Sequence, residues 1–169
     1  HFLVIPKKHI ATLNDLGELA GVRLDGAIDL TRLYSVSNHT LMGQFNRTAS
    51  QTDTLTNTGP ALVLVPYRPP ANYDVQLDVE RIEGNGGLLL GLVVGERQTV
   101  LAMDVLTEQV RRSGLLPPGR LSTAASGSSL TSHAPQLVPG KRHRIVVKVR
   151  QPTSTTYSVQ VACDGSDPY

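Results

Sequence analysis

The chain has 169 residues and a formal net charge of +2, because Lys and Arg number 16 and Asp and Glu number 14. This near balance excludes the broad basic field that nucleic-acid binding requires. The single cysteine, Cys163, excludes an intrachain disulfide and a multi-cysteine zinc site. The most apolar stretch, residues 88–94, is far shorter than the roughly 18 residues of a membrane helix, so we expect no membrane span.

The first 21 residues predict a strand followed by a short helix. An apolar run over residues 2–5 ends at Pro6, and Leu13, Leu16 and Leu19 then recur at helical spacing. The stretch HFLVIPKKHIATLNDL, residues 1–16, resembles the strand-to-helix passage of the histidine-triad (HIT) nucleotide hydrolases and transferases. We therefore predict an arm over residues 1–21 that precedes a domain over residues 22–169.

The histidines argue against HIT activity. The resemblance implies a His-x-His-x-His strand whose central imidazole attacks phosphorus, and an imidazole nucleophile needs partners that hold it. The five histidines are His1, His9, His39, His133 and His143, and no two are two positions apart. We expect an inert His1, with a degenerate HIT nucleotide-binding protein kept as the second alternative.

From Ala27 onward the apolar period changes from helical to two. Residues 73–80, 143–150 and 157–163 alternate between apolar and polar positions, which is typical of strands with one buried and one solvated face. Residues 61–65, 88–94 and 99–105 are further apolar strand candidates, and residues 95–98 connect the last two as a hairpin. Because the chain has two Phe and no Trp, we expect a core of Val, Leu and Ile. The pattern predicts an all-β, antiparallel β-sandwich.

The segment from Arg111 to Val138 is long, small and polar, with Pro117-Pro118-Gly119 and a Ser/Gly run at residues 126–129. It is predicted to be a functional or a mobile loop.

A second resemblance covers about residues 27–165. It is carried by the stretches GAIDLTRLYS, GQF, LVLVPYRPPANYDVQLDVERIEGNGGLLLGLVVGERQTVLAMDV, GKRHRIVVKVR and YSVQVACDG. These resemble the concanavalin/laminin-G-like jelly-roll domains of the 3-keto-disaccharide hydrolase type in bacterial multidomain proteins. Phe45 stands where that family often places Trp, and the family pattern continues for one or two strands beyond Tyr169, so we expect a domain truncated at its C-terminus.

The resemblance implies a saccharide ligand, whose site usually combines an aromatic platform with planar polar side chains. Tyr67 lies in a turn beside Arg68 and is the better candidate for an exposed ring, whereas Tyr73 and Tyr157 are in phase with apolar faces and are expected in the core. Arg97, Gln98 and Asp104 form a polar set that one hairpin would bring to one rim of a sheet. A solvated hairpin tip is the simpler interpretation of the first two. The ligand-binding candidates are therefore Tyr67, Arg97, Gln98 and Asp104, and no catalytic residue is assigned.

Asp78 and Glu80 share a strand face at a separation of about 7 Å, which fits the carboxylate pair of an inverting glycosidase. Asp74 and Gln76 continue the same row, however, and Arg144, Lys148 and Arg150 form a basic row on another strand. We prefer a solvated face with the two rows paired across a ladder.

The remaining motifs predict no further chemistry. The glycines at 84–87 lack the lysine and helix of a phosphate loop, and the basic run at 140–144 lacks interleaved aromatics. No His, Asp or Glu cluster has metal-ligand spacing, so no metal or other cofactor is expected. A calcium ion held by backbone carbonyls, which the resemblance allows, would leave no sequence pattern. Asn38-His39-Thr40 and Asn46-Arg47-Thr48 are formal glycosylation sequons.

We therefore expect an accessory, non-enzymatic β-sandwich module, carbohydrate-binding or structural, within a larger bacterial protein whose flanking domains are its partners. The location is left open, with an extracytoplasmic one preferred. The first alternative is a glycoside hydrolase of the 3-keto-disaccharide type.

Overall fold

A computed structural model of the chain shows mostly antiparallel β-sheets, so the all-β prediction is confirmed. It divides into two compact units, residues 1–68 and residues 69–169, which are described separately. The helical turns within the described part are a 3-10 helix at Leu30–Arg32 and α1 at Val36–His39. The structure describes residues 2–4, 23–24, 27–48, 54–57, 61–107, 109–116, 131–132, 136–153 and 155–164.

The first unit contains short strands and a small apolar cluster. Its strands are β1 (Phe2–Val4), β2 (Arg23–Leu24), β3 (Ala27–Ile28), β4 (Thr40–Met42), β5 (Phe45–Thr48), β6 (Thr54–Asn57) and β7 (Ala61–Val63). The cluster consists of Tyr34, Phe45, Ala61, Val63 and Val65. β1 pairs in parallel with β7, and β4 pairs antiparallel with the same strand. The predicted strand of the arm is thus present and paired, whereas the helix predicted before residue 21 lies outside the described residues.

The second unit contains two antiparallel sheets. Its strands are β8 (Tyr73–Glu80), β9 (Leu88–Val94), β10 (Arg97–Thr107), β11 (Val110–Leu116), β12 (Thr131–Ser132), β13 (Arg142–Arg150) and β14 (Ser158–Cys163). The strand order is β12-β11-β10-β9 in one sheet and β14-β13-β8 in the other. β10 begins two residues earlier than expected because the turn consists of Gly95 and Glu96 alone, with Gly95 at φ 64° as a tight hairpin turn requires.

The prediction of a loop from Arg111 to Val138 was wrong over its first part. Residues 110–116 form β11, which pairs with β10, and β12 pairs with β11. The β10–β11 register shifts between Ala102 and Val105, so two residues of β10 lie opposite one residue of β11. This β-bulge interrupts the period of two within β10. β11 itself shows no apolar alternation, because its buried residues are Ser113 and Leu116. Residues 117–130 and 133–135 lie outside the described residues.

The sheet of β8, β13 and β14 has one apolar and one charged face, as the alternation predicts. Ile145, Val147 and Val149 are fully buried on the apolar face. On the charged face Arg144 pairs with Asp78 and Lys148 with Asp74 in the ladder register. The Arg144 guanidinium donates to both carboxylate oxygens of Asp78 at 2.8 and 3.0 Å, and this lowers the pKa of that carboxyl. The preferred interpretation of Asp78 as one side of a charged ladder is therefore confirmed.

Candidate functional site

At one end of the second unit, aromatic and amide side chains come together from three chain connections. We call this the tyrosine end and define it by Asn72, Tyr73, Gly95, Gln151 and Tyr157. Asn72 precedes β8 and Tyr73 is its first residue, Gly95 is in the β9–β10 hairpin, and Gln151 and Tyr157 are in the β13–β14 connection. The Asn72 side-chain oxygen accepts a hydrogen bond from the Gln151 backbone N–H at 2.8 Å, which ties two of the three connections together.

Tyr73 links the two sheets at this end. Its hydroxyl donates to the Val93 carbonyl at 2.9 Å and accepts from the Val93 N–H at 3.1 Å. Burial raises the pKa of Tyr73 to about 12, against a smaller lowering by the Val93 hydrogen bond. The phenol therefore stays protonated at all ordinary pH values and serves as a neutral connection between β8 and β9.

Tyr157 is half-buried, and its hydroxyl is held from two sides. The Gln151 side-chain amide donates to this hydroxyl at 3.0 Å. On the other side a Cβ at position 95 would lie 1.9 Å from the same oxygen, and φ at Gly95 is 64°. Only glycine fits there. The Cβ of any other residue would displace the Tyr157 ring, and that residue would also have to adopt an unfavourable backbone conformation.

Arg97 and Gln98, two of the expected ligand-binding residues, are exposed and follow the Gly95-Glu96 turn directly. The structure therefore brings them to the hairpin that the Tyr157 hydroxyl touches. The sequence pattern predicts core packing for Tyr157, because its spacing is in phase with the apolar face of β14. The contact with Gly95 joins residues that are distant in sequence, so a local sequence pattern cannot predict it.

The other two expected residues lie elsewhere. Asp104 is on the same strand as Arg97 but seven residues further along, about 23 Å at a rise of about 3.3 Å per strand residue. Tyr67 belongs to the first unit, where it is half-buried and packs against the apolar cluster. The predicted proximity of Arg97, Gln98 and Asp104 is thus found for the first two alone.

The opposite end of the second unit holds charged side chains. We call it the network end and define it by Arg81, Asp104, Arg111, His143 and Asp164. Asp104 has an exposed fraction of 0% and sits in the β-bulge of β10 with φ 53°. Gly87 makes room for this bulge, since a Cβ there would lie 2.6 Å from the Met103 carbonyl oxygen.

The Asp104 carboxylate binds backbone. It accepts from the Gln136 N–H at 3.0 Å and from the Leu137 N–H at 2.7 Å. Arg81 donates to the carbonyl of Leu137 from the other side. A buried carboxylate is stable only when it is hydrogen-bonded, and here its partners are the main-chain groups of residues 136 and 137. Asp104 therefore anchors this segment and is not accessible to a ligand in solvent.

His143 binds the backbone of Val138, the residue after Leu137. Its ring has an exposed fraction of 1%, and Nε2 accepts from the Val138 N–H at 2.9 Å. Nε2 is therefore unprotonated, and the ring proton is on Nδ1, which donates to Asp164 at 2.8 Å. The Arg144 backbone N–H, Lys141 and His143 together lower the pKa of Asp164 to about 2.

His143, Cys163 and Asp164 bring one donor atom each within 4.8 Å of one another, a grouping that suits a thiol nucleophile or a metal ion. Two features oppose those roles. Burial, and next the charge of Asp164, raise the pKa of the Cys163 thiol, whereas a nucleophilic cysteine needs a lowered one. A metal at Nδ1 would move the ring proton to Nε2, where the Val138 N–H already donates. The grouping instead has a structural role, because His143 hydrogen-bonds both the Val138 backbone and the Asp164 side chain.

A surface depression in the first unit is lined by Arg32, Leu33, Tyr34, Ser35, Val36, Ser37 and His39. Its titratable side chains contact residues that are near in sequence. Arg32 forms an ion pair with Asp29 at 3.2 Å, and His39 Nδ1 accepts a hydrogen bond from the Ser35 N–H at 2.9 Å. These contacts stabilise the helical turns around α1.

Comparisons of the chain with protein-family models, curated proteins and solved structures found no match. Neither the jelly-roll nor the HIT resemblance is tested by them. Within the part of the chain that the structure describes, no helix has the length and apolar character to cross a membrane.

Proposed function

We propose that the chain is an accessory, non-enzymatic β-sandwich module of the jelly-roll type that binds a saccharide at the tyrosine end. One arrangement carries the proposal. The Tyr157 hydroxyl, held by Gln151 at 3.0 Å and seated against Gly95, lies at the hairpin that presents Arg97 and Gln98 to solvent.

The sandwich part of the proposal is supported by the two sheets of the second unit. Each contributes buried apolar side chains, among them Leu92 and Leu101 in one sheet and Ile145 and Val147 in the other. Stable sheets bury such faces against another layer. The two hydrogen bonds between Tyr73 and Val93 join the sheets at one end, as expected of facing layers.

The saccharide part is supported by the chemistry of the side chains. A sugar offers an apolar ring face and a rim of hydroxyls, and a tyrosine ring beside planar polar groups complements both. Arg97 supplies up to five N–H donors and Gln98 supplies donors and an acceptor. Both are exposed, in contrast to Asp104.

The non-enzymatic part is supported by how the ionisable groups are used. Asp104 and His143 bond to backbone, Asp78 is held by Arg144, and the Cys163 pKa is raised. General acid–base catalysis needs a group near the reacting atoms whose proton can move. Neither alternative, the 3-keto-disaccharide hydrolase nor the degenerate HIT protein, gains a specific contact from the described residues.

A glycan array followed by calorimetry with the best-binding sugar tests the proposal. We expect Arg97→Ala to weaken binding about 10- to 100-fold, since hydrogen bonds from a charged group contribute about 1.5–3 kcal/mol. Tyr157→Phe, which removes only the hydroxyl, should weaken it less. Arg142→Ala is the matched control, because Arg142 is exposed on the same unit but near the network end.

Absence of binding to any glycan would contradict the saccharide proposal. Equal binding by the wild type, Arg97→Ala and Tyr157→Phe proteins would contradict the location. Turnover of a bound 3-keto-glycoside would instead favour the hydrolase alternative.

A further inference from the structure

The connection between β8 and β9 contains an asparagine in a chemically reactive setting. Asn85 is exposed and is followed by Gly86, and Gly84 before it has φ 79°. An asparagine side chain can be attacked by the backbone nitrogen of the next residue. A glycine at that position leaves this attack unhindered, because it has no Cβ and permits unusual backbone angles.

Two arginines of the network end reach this connection. Arg111 donates to the Asn85 side-chain oxygen at 3.4 Å and to the Asp104 carbonyl at 3.1 Å. Arg81 donates to the Gly86 carbonyl at 3.1 Å. Burial lowers the pKa of Arg81, and the neighbouring Arg111 lowers it further, whereas Asp104 raises it. The two guanidinium groups thus repel one another, and an additional negative charge beside Arg111 would relieve this repulsion.

We propose that Asn85 is a self-modification site, which deamidates spontaneously to give a carboxylate that pairs with Arg111. The Gly86 backbone nitrogen attacks the Asn85 side-chain carbonyl carbon and loses its proton. The new C–N bond closes a succinimide as ammonia leaves. Water then opens the ring at either carbonyl to give aspartate or isoaspartate, and both products carry a carboxylate.

The surroundings of other asparagines make them matched internal references. The Asn72 side-chain oxygen accepts from the Gln151 N–H at 2.8 Å, and Tyr73 follows it. Asn38 lies in α1 and is followed by His39. Since the side-chain oxygen of Asn85 also accepts a hydrogen bond, the difference lies in the following residue. The side chains of Tyr73 and His39 hinder attack by their own backbone nitrogens, and Asn38 is also held in a helical conformation. Both asparagines should therefore react far more slowly than Asn85.

The first experiment incubates the whole chain in mildly alkaline buffer and follows deamidation at each asparagine by peptide mapping. We expect Asn85 to react at least about tenfold faster than Asn38 and Asn72, with the formal net charge falling from +2 to +1. An Asn85→Gln variant should lose the fast acidic species in a charge-based separation. Rates at Asn85 no higher than at Asn72 would overturn the proposal.

The second experiment tests the pairing with Arg111. Asn85→Asp reproduces one product, and we expect it to raise the melting temperature of the wild-type chain but not that of an Arg111→Ala chain. An Arg111→Lys chain keeps the charge and should retain part of the increase. An equal effect of Asn85→Asp in the Arg111→Ala and wild-type chains would refute the pairing, whatever the rate of deamidation.

Discussion

The two ends of the second unit use polar side chains in opposite ways. At the network end Asp104 and His143 are buried, and they bond to the backbone of residues 136–138. At the tyrosine end the half-buried connecting groups are neutral hydroxyls and amides. The charged groups there are exposed: Arg150 donates to the Tyr73 carbonyl, and Arg97 lies beside the exposed Gln98. A buried charge destabilises the fold unless it is hydrogen-bonded. The polar groups of the network end are therefore used to bind the backbone of residues 136–138. The tyrosine end has no such requirement and can offer its polar groups to a ligand.

The largest effect is expected from Asp104→Ala at the network end. The substitution leaves the buried N–H of Leu137 and the half-buried N–H of Gln136 without their carboxylate acceptor. Each unsatisfied group costs about 1–3 kcal/mol, so the free energy of unfolding should fall by about 2–6 kcal/mol. Urea denaturation measures this loss.

Asn72→Ala is the matched control at the tyrosine end, because it removes one hydrogen bond, to the exposed connection at Gln151. It should lower the free energy of unfolding by no more than about 1 kcal/mol. An Asp104→Ala protein as stable as the Asn72→Ala protein would show that the two ends do not differ in the way described.

A smaller effect is expected from Gly95→Ala at the tyrosine end. The added methyl would stand 1.9 Å from the Tyr157 hydroxyl and would force alanine to φ 64°. The left-handed conformation costs alanine about 1–2 kcal/mol. Overpacking against the half-buried Tyr157 ring, which can shift, adds about 1 kcal/mol, so the free energy of unfolding should fall by about 2–3 kcal/mol. Thermal melts of the single variants and of Gly95→Ala with Tyr157→Ala form a double-mutant cycle. The steric part should vanish in the double variant, and full additivity would mean that the ring and the turn are not in contact.

Local patterns predicted the strands well and the site poorly. β8, β9 and β13 follow alternating or apolar runs, and their bounds agree with the expectation to within one residue. β11 was missed because its buried residues, Ser113 and Leu116, are three positions apart and one of them is polar, so residues 110–116 show no apolar alternation. For His143 the alternation predicts a strand position and nothing more. Its role depends on contacts with Val138 and Asp164, which a period of two along one strand does not reveal.

The smallest effect concerns the response of the two ends to acid. Contacts to the Arg144 backbone N–H, Lys141 and His143 lower the pKa of Asp164 to about 2 in the folded chain, whereas in the unfolded chain it has the usual value near 4. A lowered pKa means that the ionised form stabilises the fold above pH about 4. This contribution is lost as the pH falls through about 2. Hydrogen exchange between these pH values should therefore show faster relative opening at the Arg144 N–H, which donates to the Asp164 carboxylate at 3.0 Å.

Val93 is the internal control for this measurement, because its partner Tyr73 has a pKa of about 12 and does not titrate in this range. Asp164→Asn, which tolerates the φ of 53° at this position and keeps an acceptor oxygen, should remove the acid dependence at Arg144. If Arg144 and Val93 respond to acid alike in the wild type, the loss is global and the network end is not the part of the molecule that acid weakens first.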